Sequence, residues 1–324
     1  MHNKTLLAAG LITLAMADIA LIDNWVRFLT PEIGLWQFHF MRSALVCAIL
    51  AAIALAMGWR LRPHSFAAVA WRSALASLGM VLYFGALSLM TISQAGAGLF
   101  TAPIFVLVIS VLFFGVRVGV VRMIAVGIGF AGVMVLLRPW GDAMAISASV
   151  LAVSAGFFHA FGAVLTRQWC AREGTAALNF GYFFAMGSWG LLGILALALL
   201  PVTAPPGPEG WFTRGWVVPS ASALFWTGLQ GLGGMVAIGL LIRGYQLAEA
   251  SRITVFEYAF LPFAAFWAWL LFAELPDLAT VLGTVLIVAG GLLIVIRGGD
   301  RPPADPGAEM PPTPSDPERQ EVAR

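Results

Sequence analysis

Charge is what this sequence has least of. Only 10% of its 324 residues are Asp, Glu, Lys or Arg, against about a quarter in an ordinary soluble domain. Lys4 is the single lysine and no basic run occurs, so a nucleic-acid partner is excluded by the missing electrostatic footprint. Cysteine is nearly absent too. Cys47 lies inside an apolar stretch and Cys170 near a loop, which gives neither a disulfide framework nor metal-ligand spacing. No cofactor is implied, and no metal. What fills the chain instead is apolar: 60% of it is hydrophobic. A soluble core cannot hide that much apolar surface, so the solvent for most of the protein is lipid.

A helix needs about 20 apolar residues to cross a bilayer. That ruler gives ten spans, near 6–28, 34–57, 68–89, 94–114, 121–138, 147–168, 177–200, 219–243, 251–273 and 278–297. The first is retained rather than cleaved, because Asp18 interrupts it and Asp23-Asn24 follow where a small-residue cleavage site belongs. Loops are short except Pro201–Pro219, rich in Pro and Gly. Arginine sets the orientation. With a cytoplasmic N-terminus, the inner ends and loops hold Lys4, Arg60, Arg62, Arg72, Arg117, Arg122, Arg167, Arg172, Arg243, Arg252 and Arg297, and the outer side only Arg27, Arg138 and Arg214. The expectation is a multi-pass protein of the cell (inner) membrane with both termini cytoplasmic. The tail 298–324, rich in Pro and acid and almost without apolar residues, has nothing to bury and is expected to be a disordered cytoplasmic segment.

Two stretches, Ala95–Arg138 and Thr254–Arg297, are distant copies. At a constant offset Pro103 falls on Pro262, Leu112-Phe113 on Leu271-Phe272, Val126 on Val285, Ile128 on Ile287, Gly132 on Gly291 and Arg138 on Arg297. Duplicated apolar helices punctuated by Pro and Gly mark a secondary transporter. Five spans per half is an odd number, so residues 1–146 and 147–297 form two five-helix repeats of opposite orientation. Gly127-Ile128-Gly129-Phe130-Ala131-Gly132 matches a dinucleotide fingerprint, but it sits inside a span. Close packing of helices through small residues is the better reading, and Gly187/Gly190/Gly193 and Gly228/Gly231/Gly234 read the same way.

The run Gly85–Pro139 carries small residues, a Pro before an apolar run, and a glycine-rich closing helix that ends in Arg-Pro; a second such unit opens at Phe256-Glu257-Tyr258. The pattern resembles the EamA-type repeat of the drug/metabolite transporter superfamily, over about residues 6–297. The resemblance implies an all-α membrane protein of ten transmembrane helices in two inverted five-helix repeats. It also implies transport of a small organic solute, with amino-acid-like and carboxylate solutes suggested by the Phe-Glu-Tyr opening. One departure bears on gating. The first repeat has Gly115-Val116 where the family has Gly-Glu, while the second keeps its acid as Glu274, so the two gates are expected to differ.

Ionisable groups at depth are the sharpest signal for a site. A charge at the bilayer centre costs roughly 2.5–3.5 kcal/mol on insertion scales, so such groups are expected to face the bundle interior. Asp18 and His159 lie near mid-depth. Arg42 lies about two turns inside the second span with His39 on its face at i−3, and Glu257 lies beside Tyr258 about two turns inside the ninth. Tyr83, Trp189 and Gln230 are also away from span ends. Asp23, near an end, reads as an interfacial cap or gate residue. The expected solute site lies between the halves, with Arg42 taking a carboxylate and Glu257 an amine, and with Asp18 or His159 carrying a proton. Pro103 and Pro262 are expected hinges, since each removes a backbone donor and clashes with the turn before it. The partners are then a small-molecule solute and the bilayer, in a monomer or a homodimer. The alternative is an intramembrane enzyme, or a receptor or scaffold without transport. No H-E-x-x-H, phosphate loop or G-x-S-x-G appears to favour catalysis, and Asp18 and Asp23 point about 140° apart on one helix.

Overall fold

The computed structural model describes residues 2–90, 92–115, 119–137, 143–248 and 250–297. Val116, Arg117, Arg138, Glu249 and the tail 298–324 lie outside the described residues, as do the side chains of Arg122, Arg252 and Arg297. Every described element is helical: α1 (His2–Asn24), α2 (Leu35–Met57), α3 (Phe66–Ala86), α4 (Ile92–Leu99), α5 (Ala102–Phe114), α6 (Val120–Leu137), α7 (Ala143–Gln168), α8 (Thr175–Leu199), α9 (Ala221–Leu247), α10 (Ala250–Ile253), α11 (Phe260–Phe272) and α12 (Leu278–Arg297). Short 3-10 turns follow α1 (Trp25–Phe28) and join α10 to α11 (Thr254–Ala259). Eight stretches are long and apolar enough to cross a membrane, and α6 and α12 contribute shorter apolar helices, Met123–Leu137 and Leu278–Leu293. That makes the ten-helix membrane fold expected from the sequence. Leu55, Phe66, Leu112 and Phe113 are well exposed, as side chains facing lipid should be.

Helices from before residue 146 pack mainly on helices from after it. The principal pairs are α1 with α9, α2 with α8, α3 with α7 and α6 with α12; α1 also meets α11, as α7 meets α4 and α5. Apolar side chains give no net drive for helices to leave lipid, so close approach through small residues supplies the contact. A methyl group on Gly132 would lie 2.7 Å from the Gly283 carbonyl oxygen, and one on Gly190 would lie 2.6 Å from the Phe40 backbone nitrogen. The α6–α12 and α2–α8 backbones therefore touch. In the G-x-G-x-x-G run, Gly132 carries that packing and Gly129 lies under the Tyr258 hydroxyl, but Gly127 has nothing within 4 Å.

Two spans are broken. The fourth interrupts between α4 and α5, where the Thr101 hydroxyl donates to the Gly98 carbonyl at 2.7 Å. The ninth loosens into the 3-10 turn Thr254–Ala259 before α11 restarts. Pro103 and Pro262 sit in the first turn of each restarted helix, where a missing N–H leaves no bond unmade. The breaks meet: the Phe100 ring lies 5.3 Å from that of Phe260 and 6.0 Å from that of Tyr258. Each restarted helix ends on a left-handed residue, Gly115 (φ 61°) and Ala273 (φ 56°).

The two ends of the bundle are closed differently. At the Arg60 end, the buried Glu173 carboxylate accepts from the Ser65 and His64 backbone amides, both at 2.8 Å, and from the His64 ring, which ties the α7–α8 loop to the start of α3. Burial works against that charge, but the two amides and the imidazole outweigh it and hold the carboxyl below its ordinary range. At the opposite end, Arg27 and Glu274 form a bidentate pair at 2.9 and 3.1 Å, with the guanidinium 3.8 Å from the centre of the Phe272 ring. The Pro/Gly-rich loop is ordered there: Trp211 is fully buried and donates to the Phe84 carbonyl, and Arg214 donates to the carbonyls of Thr30 and Ile33.

Candidate functional site

Two narrow cavities run in tandem through the middle of the bundle. They share Ile19, Met80, Tyr182 and Ile238 as a neck. The larger lies against both helix breaks and is mostly apolar, with Phe100 and Phe260 in its wall. Its polar groups are Arg72, His159, Thr166, Tyr182, Tyr245 and Glu257. Glu257 sits in the 3-10 turn of the ninth span, so a carboxylate stands where the backbone departs from the α-helix. Irregular backbone at membrane depth is tolerated where it lines a cavity. The carboxylate is 1% exposed, lies 3.0 Å from His159 Nε2 on α7, and accepts a hydrogen bond from the Tyr245 hydroxyl on α9. One acid thus ties three elements together.

The smaller cavity holds Asp23, Arg42 and Gln230. Arg42 Nη1 donates to Gln230 Oε1 at 2.6 Å, and Nη2 lies 3.0 Å from His39 Nδ1, which must act as acceptor because a guanidinium only donates. The Arg42 guanidinium also lies 4.8 and 4.9 Å from the Phe38 and Phe84 ring centres. The Tyr83 hydroxyl donates to Asp23 at 2.8 Å. Among the described residues, Asp23 Oδ1, Arg42 Nε and His39 Nε2 are buried without a hydrogen-bond partner. Such groups are costly unless something satisfies them; Asp23 and Arg42 line the cavity, and His39 lies behind Arg42.

The residues singled out from the sequence separate into these groups. His159 and Glu257 meet in the larger cavity. Arg42 and Gln230 meet in the smaller, with His39 and Tyr83 bonded behind them. Asp23 is not the interfacial cap its position suggested: it is 1% exposed and lines the smaller cavity. Asp18 lines neither; its carboxylate lies where a methyl on Gly233 would be 3.2 Å away. The Trp189 indole donates to the Ala74 carbonyl and Tyr258 packs against Gly129 and Gly291. Arg72, Thr166, Tyr182 and Tyr245 were missed. Arg72 was counted as an end residue, but α3 begins at Phe66 behind a Ser65 cap, which carries Arg72 well into the span and leaves it 4% exposed. The cap was readable in the sequence and would have corrected it. Among the described residues no group of three His, Cys, Asp or Glu is placed to hold a metal.

Apolar spans, two broken helices meeting at mid-bundle and buried charges around a central cavity define a secondary transporter of small solutes. The chain belongs to the EamA-like transporter family, whose profile matches residues 6–138 and again 146–296. It is similar to a riboflavin transporter of Vibrio cholerae (27% identity, covering 89% of this chain and 92% of that one). It is also similar to a pseudopaline exporter of Pseudomonas aeruginosa (25%, 87% and 94%) and to an S-adenosylmethionine uptake transporter of Rickettsia felis (23%, 67% and 69%). A solved crystal structure shares the fold with a TM-score of 0.64 at 18% identity, over 90% of this chain and 97% of that one.

Proposed function

We propose that the protein carries an amino-acid-like or amine-bearing organic solute across the inner membrane by alternating access. Residues 1–146 and 147–297 act as the two inverted units, and the tandem cavities act as successive stations. The Glu257–His159 pair carries this reading. A carboxylate held by a histidine and a tyrosine in a loosened helix can take a solute amine or a proton, and either exchange changes what ties the ninth span to α7 and α9. Flux is then coupled to a proton gradient. Arg42 with Gln230 and Asp23 forms the second station, which receives the opposite pole of the solute. Riboflavin, pseudopaline and S-adenosylmethionine stand in the names of relatives; all are polar metabolites, and that range supports a solute with more than one hydrogen-bonding group.

Reconstitution in liposomes tests it. Labelled amino acids, amines, riboflavin and S-adenosylmethionine are offered with and without an imposed pH gradient. At least one amine-bearing solute is expected to move, faster with the gradient. Gradient-dependent flux of riboflavin alone would overturn the amine assignment. The proposed orientation, with cytoplasmic termini, is tested by cysteine labelling in intact cells, after replacing Cys47 and Cys170 by alanine. The exposed positions Arg62 and Thr203 lie at opposite ends of the bundle. Arg62→Cys should resist impermeant thiol reagents and Thr203→Cys should react; the reverse result inverts the topology.

A further inference from the structure

Arg72 is a buried cation that forms no ion pair among the described residues. It lines the larger cavity at 4% exposure. Its Nε donates to Thr166 Oγ1 at 2.8 Å and its Nη1 to the Leu178 carbonyl at 3.4 Å. The Thr166 hydroxyl in turn donates to the Gly162 carbonyl at 2.6 Å, which leaves its lone pair for Arg72. The Tyr182 ring centre lies 5.8 Å from the guanidinium carbon. Among the described residues no carboxylate pairs with it, and Nη2 makes no hydrogen bond. Arg42 shares its cavity with Asp23; Arg72 shares its own with Glu257, but that carboxylate is bonded to His159 and Tyr245 and forms no ion pair with Arg72. A desolvated cation that keeps its charge calls for an anion, and the fork of a guanidinium held at two of its nitrogens presents the third to a planar oxyanion.

We propose that Arg72 is an oxyanion subsite of the larger cavity and takes the carboxylate of the transported solute there. The proposal rests on the larger cavity being a solute station. It gives that station both poles, Arg72 for the carboxylate and Glu257 with His159 for the amine, so a zwitterion is held by α3, α7 and the ninth span at once. Arg42 then becomes a way-station that the carboxylate reaches through the Tyr182 neck.

The test uses hexanoate, hexylamine and 6-aminohexanoate as probes, at matched ionic strength, with the melting of the purified full-length protein as readout. Wild type is compared with Arg72→Gln, Arg72→Lys and Glu257→Gln. Hexanoate and 6-aminohexanoate are expected to raise the wild-type melting temperature. In Arg72→Gln the hexanoate response should weaken at least about tenfold in midpoint while the hexylamine response stays, and Glu257→Gln should show the reverse. Arg72→Lys, which keeps the charge but not the fork, should fold and bind hexanoate more weakly than wild type. Equal hexanoate responses in wild type and the Arg72 variants, including no response in any of them, overturn the proposal. If hexanoate behaves as expected and hexylamine never does, the oxyanion subsite stands and the amine role of Glu257 falls.

Discussion

At the break of the fourth span stands Gly98; at the matching place in the ninth stands Glu257, when the two are aligned as Pro103 is with Pro262. Gly98 lies flush against Ala152 of α7, with no room for a side chain. Glu257 reaches α7 through His159 and α9 through Tyr245. The two breaks share a position and differ in chemistry: one is closed by backbone contact, the other is held by ionisable groups. The same contrast returns where the restarted helices end. Gly115 adopts the left-handed conformation without strain, whereas Ala273 adopts it beside Glu274, which pairs with Arg27. At the two breaks, therefore, the ionisable group stands in one copy only. On the alternating-access mechanism proposed above, outward-facing and inward-facing states need not be balanced by symmetry, and the ligation of Glu257 would set the balance.

The largest effect should come from removing that chemistry. Glu257→Gln keeps the shape and one hydrogen-bond acceptor but cannot exchange a proton. Flux in liposomes is expected to fall by about two orders of magnitude, the scale on which a lost proton-transfer group acts, with melting little changed. Wild-type flux in this variant would show that the two breaks are functionally alike. The converse substitution, Gly98→Ala, tests the dry break. Forcing a methyl into the α7 contact should cost about 1–3 kcal/mol, read as a lower melting temperature, and no change in melting would mean that the break is already loose.

A third prediction concerns the two ends. Glu173→Gln weakens the clamp on the start of α3 and should cost about 1–2 kcal/mol. The sign with pH follows from its lowered folded-state carboxyl pKa. The stabilisation is present above the unfolded carboxyl pKa and is lost as pH falls through the folded one. Wild type and variant should therefore differ in melting at neutral pH and converge in acid; a constant gap across that range would remove the carboxylate from the account. Arg27→Ala at the opposite end breaks a half-exposed pair and should change stability by under about 1 kcal/mol, so the ends should differ in the same direction. Smallest of all, Ala273→Gly should raise stability by about 0.5–1 kcal/mol by relieving the left-handed alanine. Gly115→Ala should lower it by a similar amount.

The spans, the breaks and the repeat were legible because they are written in long apolar runs and in proline and glycine, which act locally. Glu257, His159, Arg42 and Gln230 were legible for the same reason, since a polar group amid apolar residues is conspicuous. What could not be read was rotation. A lipid-facing side and a core-facing side are both apolar, so the sequence of a span hardly says which way each residue points. Hence Tyr182 and Tyr245, ordinary aromatics by sequence, form the neck and the second ligand of Glu257. Hence also Asp18, as deep as His159, faces a glycine of α9. Arg72 was a different failure. A helix start placed two residues late turned a cavity residue into a flanking charge.

The seam between α6 and α12 bears on how this chain can change over generations. At Gly132, Gly283 and Gly290 the opposing backbone stands closer than any side chain allows. Every missense change in a glycine codon adds at least a methyl group, so these codons have no mild replacement within a single step. Variation should be sparse along that seam and freer around the cavity wall, where one side chain can be exchanged for another, and a population of sequences could explore new solutes without first disturbing the joint on which both halves lean.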